Sequence, residues 1–457
     1  MWNLTTNHKN HIEIDSLDAV DLINEYGSPL LVVNRKQLFL DIQNLKKAMS
    51  KAPTGSKILF SYKTNCIPGI LTEIHHTGIG AEVISPYELW LAEKLGVRGD
   101  MTVYNGVNKT EESIVDAINM KILSINIDHL SEVDKIYRLA KKLKKRVSVG
   151  IRLGLVTRDQ FGLEIESGEA MQACKKILSH NDYLDLTCLH FNVASNAKDA
   201  LFHKNCTLKA LEFMHQVYSQ MGTTIPYLDI GGGFGVPTIK TMSRLEFSLY
   251  KFFGCLPKPP ALGSCQPIHD FLYEIVNCIK IFCSENNLTT PKIIIEPGRF
   301  ITSKSELLLA KVHTIKTKKD GTRFAISDAG RFSTAYPCDY EYHEVFVANR
   351  ANEKLHHVYH IMGSICTSAD YLLKNRYLTY LRSGDILAVM DAGAYFSSFS
   401  SNFSFPRPGI VMVSDAKSNL IRQPETFDHL IAMDVSDCLS NKKGFENQNF
   451  LPEVSRN

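Results

Sequence analysis

The sequence predicts an α/β protein, a parallel (β/α)8 barrel of the TIM type followed by a mostly antiparallel β domain. Three observations carry this. Eight short apolar runs recur between residues 58 and 295, and an amphipathic helical stretch fills every gap between them. That alternation marks a parallel barrel. Past Pro297 the runs stay β-rich, but few helices separate them. Polar residues gather at the carboxyl ends of the runs, where barrel enzymes place their chemistry.

The elements follow in order. A polar start and a helix over Leu17–Tyr26 end at Gly27. The barrel strands are expected at Ile58–Phe60, Ala81–Ser85, Met101–Tyr104, Ile122–Ile127, Val147–Leu153, Leu186–Phe191, Tyr227–Ile230 and Lys292–Ile295. Between them lie helices at Ile67–His76, Pro86–Leu95, Glu111–Ile118, Asp128–Leu143, Gly168–Leu178, Lys198–Met221 and Ile268–Asn286. The stretch Thr238–Pro267 holds several prolines and reads as an inserted excursion over the barrel mouth. Second-domain strands are expected at Leu307–Ile315, Phe324–Ser327, Glu344–Val347, His357–Ile361, Ile386–Met390 and Ile410–Val413. The domain division is therefore 28–290 for the barrel, with 1–27 and 291–435 in the β-rich domain. Residues 436–457 are polar and aperiodic, and are expected to be a disordered tail.

Composition narrows the function. At 457 residues the chain exceeds one ordinary domain, and 44% hydrophobic with 22% charged residues describes a soluble globular protein. A net charge of +3 is too mild to argue for nucleic acid or an acidic membrane surface. No apolar run is long enough to span a bilayer. Met1–Ile14 lacks the apolar core of a secretory signal. Eleven scattered cysteines with no C-x-x-C pair suit a reducing cytoplasm and offer neither a disulfide framework nor a zinc site.

The strand ends carry the chemistry. Strand one ends in Ser61-Tyr62-Lys63-Thr64-Asn65. Strand two carries Glu82, with Glu88 just beyond. Strand five carries Arg152, and strand six ends in His190-Phe191-Asn192-Val193-Ala194-Ser195. Strand seven runs into Gly231-Gly232-Gly233-Phe234-Gly235, and strand eight into Glu296-Pro297-Gly298-Arg299. A rim lysine is a surface charge, an ion-pair partner or a Schiff-base amine. The last needs partial desolvation. A carboxylate opposite it can bind a protonated ring nitrogen. Glycines after a strand allow positive φ and let amide N–H groups approach a phosphate. Lysine, glutamate and glycine turn together are what pyridoxal 5′-phosphate requires.

These residues resemble a known family. Phe60–Asn65, Glu82–Ser85, Gly231–Gly235, Glu296–Arg299, Cys366-Thr367-Ser368-Ala369-Asp370 and the segment from Gly384-Asp385 to Ala394-Tyr395 occur here in family order. The chain is similar to the alanine-racemase-like barrel decarboxylases that use pyridoxal phosphate, and most of all to diaminopimelate decarboxylase and its secondary-metabolism relatives. The resemblance implies α-decarboxylation of an amino acid in a head-to-tail homodimer with shared sites. It implies Lys63 as the Schiff-base lysine and Glu296 as partner of the pyridinium nitrogen. It further implies phosphate contacts from Gly231, Gly232, Gly233, Gly298, Arg299, Ser195 and Tyr395. Cys366 would come from the partner subunit and return a proton to Cα. Arg299, Tyr336, Tyr340 and Thr367 would face the substrate.

Three departures bear on the substrate. Asn192 stands where relatives stack a histidine on the cofactor ring, and an amide carries no proton at neutral pH. Thr367 stands where a carboxylate grips the far ammonium of diaminopimelate or ornithine. Losing one partner of a buried ion pair costs about 3–5 kcal/mol, roughly a hundredfold or more in binding. Tyr336 replaces the arginine of Arg-Pro-x-x-Tyr, although Arg331 is near in sequence. The departures point to an acylated, neutral or tethered side chain, the last implying a carrier protein. The competing readings are a genuine diaminopimelate, lysine or ornithine decarboxylase, an amino-acid racemase, and a non-catalytic binding protein of the same fold.

Overall fold

The computed structural model describes residues 2–434 except 157, 158, 262 and 336. The expected tail at 436–457 and Tyr336 lie outside the described residues. Eight parallel strands close a barrel: Lys57–Ser61, Gly80–Val83, Thr102–Tyr104, Ser124–Ile127, Val147–Arg152, Leu184–His190, Tyr227–Asp229 and Lys292–Ile295. All eight expected runs are among them. Helices follow each of the first seven strands: Pro68–His76, Pro86–Lys94, Glu111–Met120, Ser131–Leu143, Glu169–Ser179, Leu201–Met221 and Ile268–Glu285.

Strand periodicity divides the core. Leu59, Val103, Cys188 and Ile294 form a small cluster of their own. Their sequence neighbours Phe60, Leu189, Ile293 and Ile295 join the large core that the helices cover. Successive side chains on a strand point to opposite faces, so each strand feeds both layers. Helix starts are capped by side chains: Ser85 Oγ accepts from Glu88 N, and Thr110 accepts from Ser113 N.

The second domain is a nine-stranded sheet built on the long strand Glu306–Thr317. Most of its pairings are antiparallel. Two are parallel: Arg323–Ser327 with His357–Met362, and Leu30–Asn34 with Gly409–Ser414. Three of its strands, Leu30–Asn34, Tyr371–Leu378 and Lys417–Arg422, were not expected from the sequence. The amino terminus differs as well. Leu4–Thr6, Ile12–Ile14 and Leu17–Asp18 form a small sheet, and the helix starts only at Ala19, capped by Asp18.

The expected domain boundaries move at both ends. Leu30–Asn34, inside the expected barrel range, pairs with Glu306–Leu309 in the second sheet. Lys292–Ile295, beyond that range, closes the barrel between Tyr227–Asp229 and Lys57–Ser61. The excursion also has structure of its own. Its strand Lys240–Thr241 pairs with Glu341–Tyr342, and its helix Arg244–Phe253 opens on a Ser243–Glu246 capping box. The ten described cysteines are all free.

Candidate active site

The carboxyl ends of the barrel strands surround one cavity of about 450 Å³, counting its open mouth. Its walls include Lys63, Asn192, Ser195, Gly232, Gly233, Glu296, Gly298, Arg299 and Tyr395. Tyr395 arrives from the second domain, and its N–H donates to Thr64 O. Lys63 sits on a single 3-10 turn after strand one. Two residues on, Asn65 Nδ2 donates to Glu306 Oε1 at 2.8 Å and to Gly393 O. Burial pushes the Glu306 carboxyl up to about 8, so at neutral pH this tie between the domains is mostly that of a neutral acid.

The Lys63 amine lies 3.2 Å from Glu82 Oε2. Burial disfavours its ammonium. The charges of Glu82 and Glu296, with the Glu82 hydrogen bond, outweigh that and hold the amine above the usual lysine range. Glu82 also accepts from Ser61 Oγ at 2.5 Å. Glu296 is 2% exposed. Burial opposes its ionisation, yet His190 at 3.5 Å, the nearby Lys63 and a hydrogen bond with Asp229 keep it ionised. Asp229 is pushed the other way, by burial and then by the Glu296 charge, and holds its proton. The result is an anionic Glu296 and a cationic Lys63 in the wall of one cavity.

The glycine turn is shaped by close approach. Gly233 has φ +79°, and a Cβ there would lie 2.1 Å from Ala194 O. A Cβ on Gly232 would lie 2.2 Å from Glu296 O. These two positions exclude a side chain on steric grounds alone. Gly231 stands one residue back from the cavity wall. Behind the turn, the buried His203 donates from Nε2 to Gly232 O at 2.9 Å and stacks on Phe234. No sequence motif points to His203, because a lone histidine in a helix reads as core.

The turn, the ionised Glu296, the partly desolvated Lys63 and the buried Asn192 Oδ1, which has no hydrogen-bond partner among the described residues, fit pyridoxal phosphate. The comparisons agree. The family model "Pyridoxal-dependent decarboxylase, pyridoxal binding domain" matches residues 39–303. The chain belongs to the pyridoxal-dependent decarboxylases.

As a member, it is a pyridoxal-phosphate carboxy-lyase. It is 30% identical over 441 residues to the diaminopimelate decarboxylase of Methanocaldococcus jannaschii, covering 92% of this chain and 94% of that one. The diaminopimelate decarboxylase of Aquifex aeolicus is 28% identical, again covering 92% and 94%. The crystal structure of the M. jannaschii enzyme superposes with a TM-score of 0.84 at 28% identity, over 95% of this chain and 98% of that one.

The other expected site residues fall elsewhere. Cys366 and Thr367 are exposed and do not line the cavity of their own chain. Their loop is built around Asp370, which is 1% exposed and accepts from Arg331 N and Ile365 N. Arg331 is committed. Its guanidinium makes two bonds to Asp339, at 2.8 and 2.7 Å, and one to Ala369 O. Arg299 is committed too, with bonds of 3.0 and 2.6 Å to the buried Glu341. Tyr340 ends the short helix Pro337–Tyr340, and its carbonyl accepts from Met242 N. Among the described residues no helix is long and apolar enough to cross a membrane.

Proposed function

We propose that this enzyme removes the α-carboxylate of an amino acid whose far end carries no free ammonium-plus-carboxylate pair: an acylated, neutral or tethered side chain. The observation that supports this most is the state of the two guanidiniums. Arg299 in the cavity wall is neutralised by Glu341, and Arg331 beside the Cys366 loop by Asp339. Neither offers a spare charge to a distal carboxylate. Thr367 offers none to a distal ammonium.

The residues divide the work. Lys63 holds the cofactor as its Schiff-base amine. Glu296, anionic, holds a proton on the ring nitrogen. Gly232, Gly233, Ser195, Gly298 and Tyr395 hold the phosphate, with Gly231 shaping the turn. Asn192, in the cavity wall, would help to hold the ring. Pyridoxal phosphate, when bound, supplies the sink for the electron pair left as carbon dioxide departs. Cys366 of a second copy returns a proton to Cα, which accounts for its exposure in the single chain. A tethered substrate would bring a carrier protein to the cavity mouth. Tyr340, and Thr367 of a second copy, border the side-chain end.

A second reading, decarboxylation of diaminopimelate itself, is favoured by the near full-length similarity to enzymes of that name. Carbon dioxide release decides between them. Purified enzyme is offered meso-diaminopimelate, lysine, ornithine and their side-chain N-acylated forms. The proposal expects the acylated forms to lead. Turnover of meso-diaminopimelate at the same kcat/KM or better would establish the second reading. In either case Lys63→Ala abolishes turnover and the bound-cofactor absorbance band.

A further inference from the structure

Behind the cavity wall, against Glu296, lies a polar chain that no motif marks. Asn105 follows strand three and is 3% exposed. Its Nδ2 donates to Glu296 Oε1 at 2.5 Å and to Glu82 Oε1 at 3.1 Å. Its Oδ1 accepts from Asn126 Nδ2 at 2.7 Å. Asn126, fully buried on strand four, in turn accepts at Oδ1 from Ser124 Oγ at 2.7 Å. Room for it comes from Gly150 on strand five, where a Cβ would lie 2.0 Å from Asn126 Oδ1.

This chain admits one orientation. Turning the Asn105 amide over would set its oxygen against two carboxylates and its N–H groups against those of Asn126. Each amide atom then loses its partner in a buried site, where an unmade bond is expensive. The amide therefore spans the two carboxylates of the site with one N–H each. Glu82 in turn bonds the Lys63 amine, while Glu296 lines the cavity. Other groups also face Glu296: His190, the protonated Asp229 and Lys63. Among the described residues, Asn105 alone donates hydrogen bonds to both Glu296 and Glu82.

We infer that Asn105 is a positioning residue of this enzyme, one that aims Glu296 at the cofactor's ring nitrogen and keeps it anionic, with Asn126 and Ser124 fixing its direction. The inference rests on Glu296 being the partner of that nitrogen. Bonds donated to a carboxylate favour its charged form, so removing one raises the pH at which the carboxylate protonates.

The test compares Asn105→Leu, Asn126→Ser and Glu296→Gln with the parent holoenzyme. Asn105→Leu should lower kcat by roughly 10–100-fold while KM stays within about threefold, since buried partners of a charged group are being left unpaired. The acid limb of the bound-cofactor absorbance titration should move up by about one pH unit. Cofactor reloading of the apoenzyme, followed by fluorescence, should weaken by about tenfold. Asn126→Ser, which leaves Asn105 in place, should shift the same limb in the same direction by less. A purely structural Asn105 would change thermal stability and leave the titration alone. If Glu296→Gln moves the absorbance titration and both asparagine variants leave it at the parent value, the inference is overturned and the reading of Glu296 stands. If Glu296→Gln itself moves nothing, that reading falls and the inference with it. Should Asn105→Leu not fold, Asn126→Ser decides by the same titration.

Discussion

Deleting Glu341 provides a quantitative probe of the cavity wall. Glu341 is 1% exposed and Arg299 5% exposed, and two short hydrogen bonds join them. His343 adds a third contact at 3.4 Å. Glu341→Ala leaves a buried guanidinium without its carboxylate, which costs about 3–5 kcal/mol of stability. Arg299→Ala costs a similar amount by stranding the carboxylate. The double variant removes both charges, so it should lose about 1–3 kcal/mol less than the sum of the singles. Equilibrium urea unfolding of the four proteins, followed by circular dichroism, measures this coupling. Acid provides a second handle. Burial opposes ionisation of Glu341, but Arg299 and then His343 hold its carboxyl below the usual range. The pair's contribution is then complete above the unfolded carboxyl pKa of about 4.3 and disappears as the pH falls through the lower folded value. Glu341→Ala also unmasks a cation in the cavity, so inorganic phosphate should protect the variant against urea more than the parent. Additive single effects, within about 0.5 kcal/mol, together with equal phosphate protection, would refute the neutralised-arginine argument on which the substrate proposal leans.

Other perturbations test the remaining parts of the site. Gly233→Ala forces a Cβ against Ala194 O at positive φ, so cofactor reloading should weaken at least tenfold while circular dichroism stays near the parent; unchanged reloading would remove the turn from the phosphate site. Arg331→Met releases Asp339 and the Ala369 carbonyl, and should lower kcat several-fold through a loosened Cys366 loop. Amide exchange over residues 363–370 would rise in that variant, and unaltered exchange would contradict the anchoring. Thr367→Glu restores a carboxylate, and should raise kcat/KM for meso-diaminopimelate by about tenfold or more relative to an acylated amino acid if distal charge sets the preference.

The barrel was legible because its signals are local. Each strand is a short apolar run, each helix has its own period, and the strand-end motifs stand at fixed places in that rhythm. Leu30–Asn34 shows where this stops. Its run Leu-Leu-Val-Val-Asn resembles a barrel strand, and only pairing with Glu306–Leu309, far along the chain, assigns it to the other sheet. Tyr371–Leu378 escaped notice for a related reason: buried on both faces for most of its length, it shows no alternation. The site followed the same rule. Lys63, Glu296 and the glycine turn announce themselves by motif. Asn105, Asn126 and His203 do not, because a buried amide or imidazole acquires its meaning from partners on other elements. The pairing of Arg299 with Glu341 was invisible too, since 42 residues separate them.

The two-residue strand Lys240–Thr241 does more than decorate the excursion. It clips the lip of the barrel to Glu341–Tyr342. Thr238 Oγ1 bonds the buried Asp391, and Tyr250 OH accepts from Lys374 N. The two halves of the chain are thus riveted at the very edge of the catalytic chamber. A clamshell motion between them would have to tear that seam on every turnover. Admission of substrate and escape of product are therefore expected without the two halves parting along it.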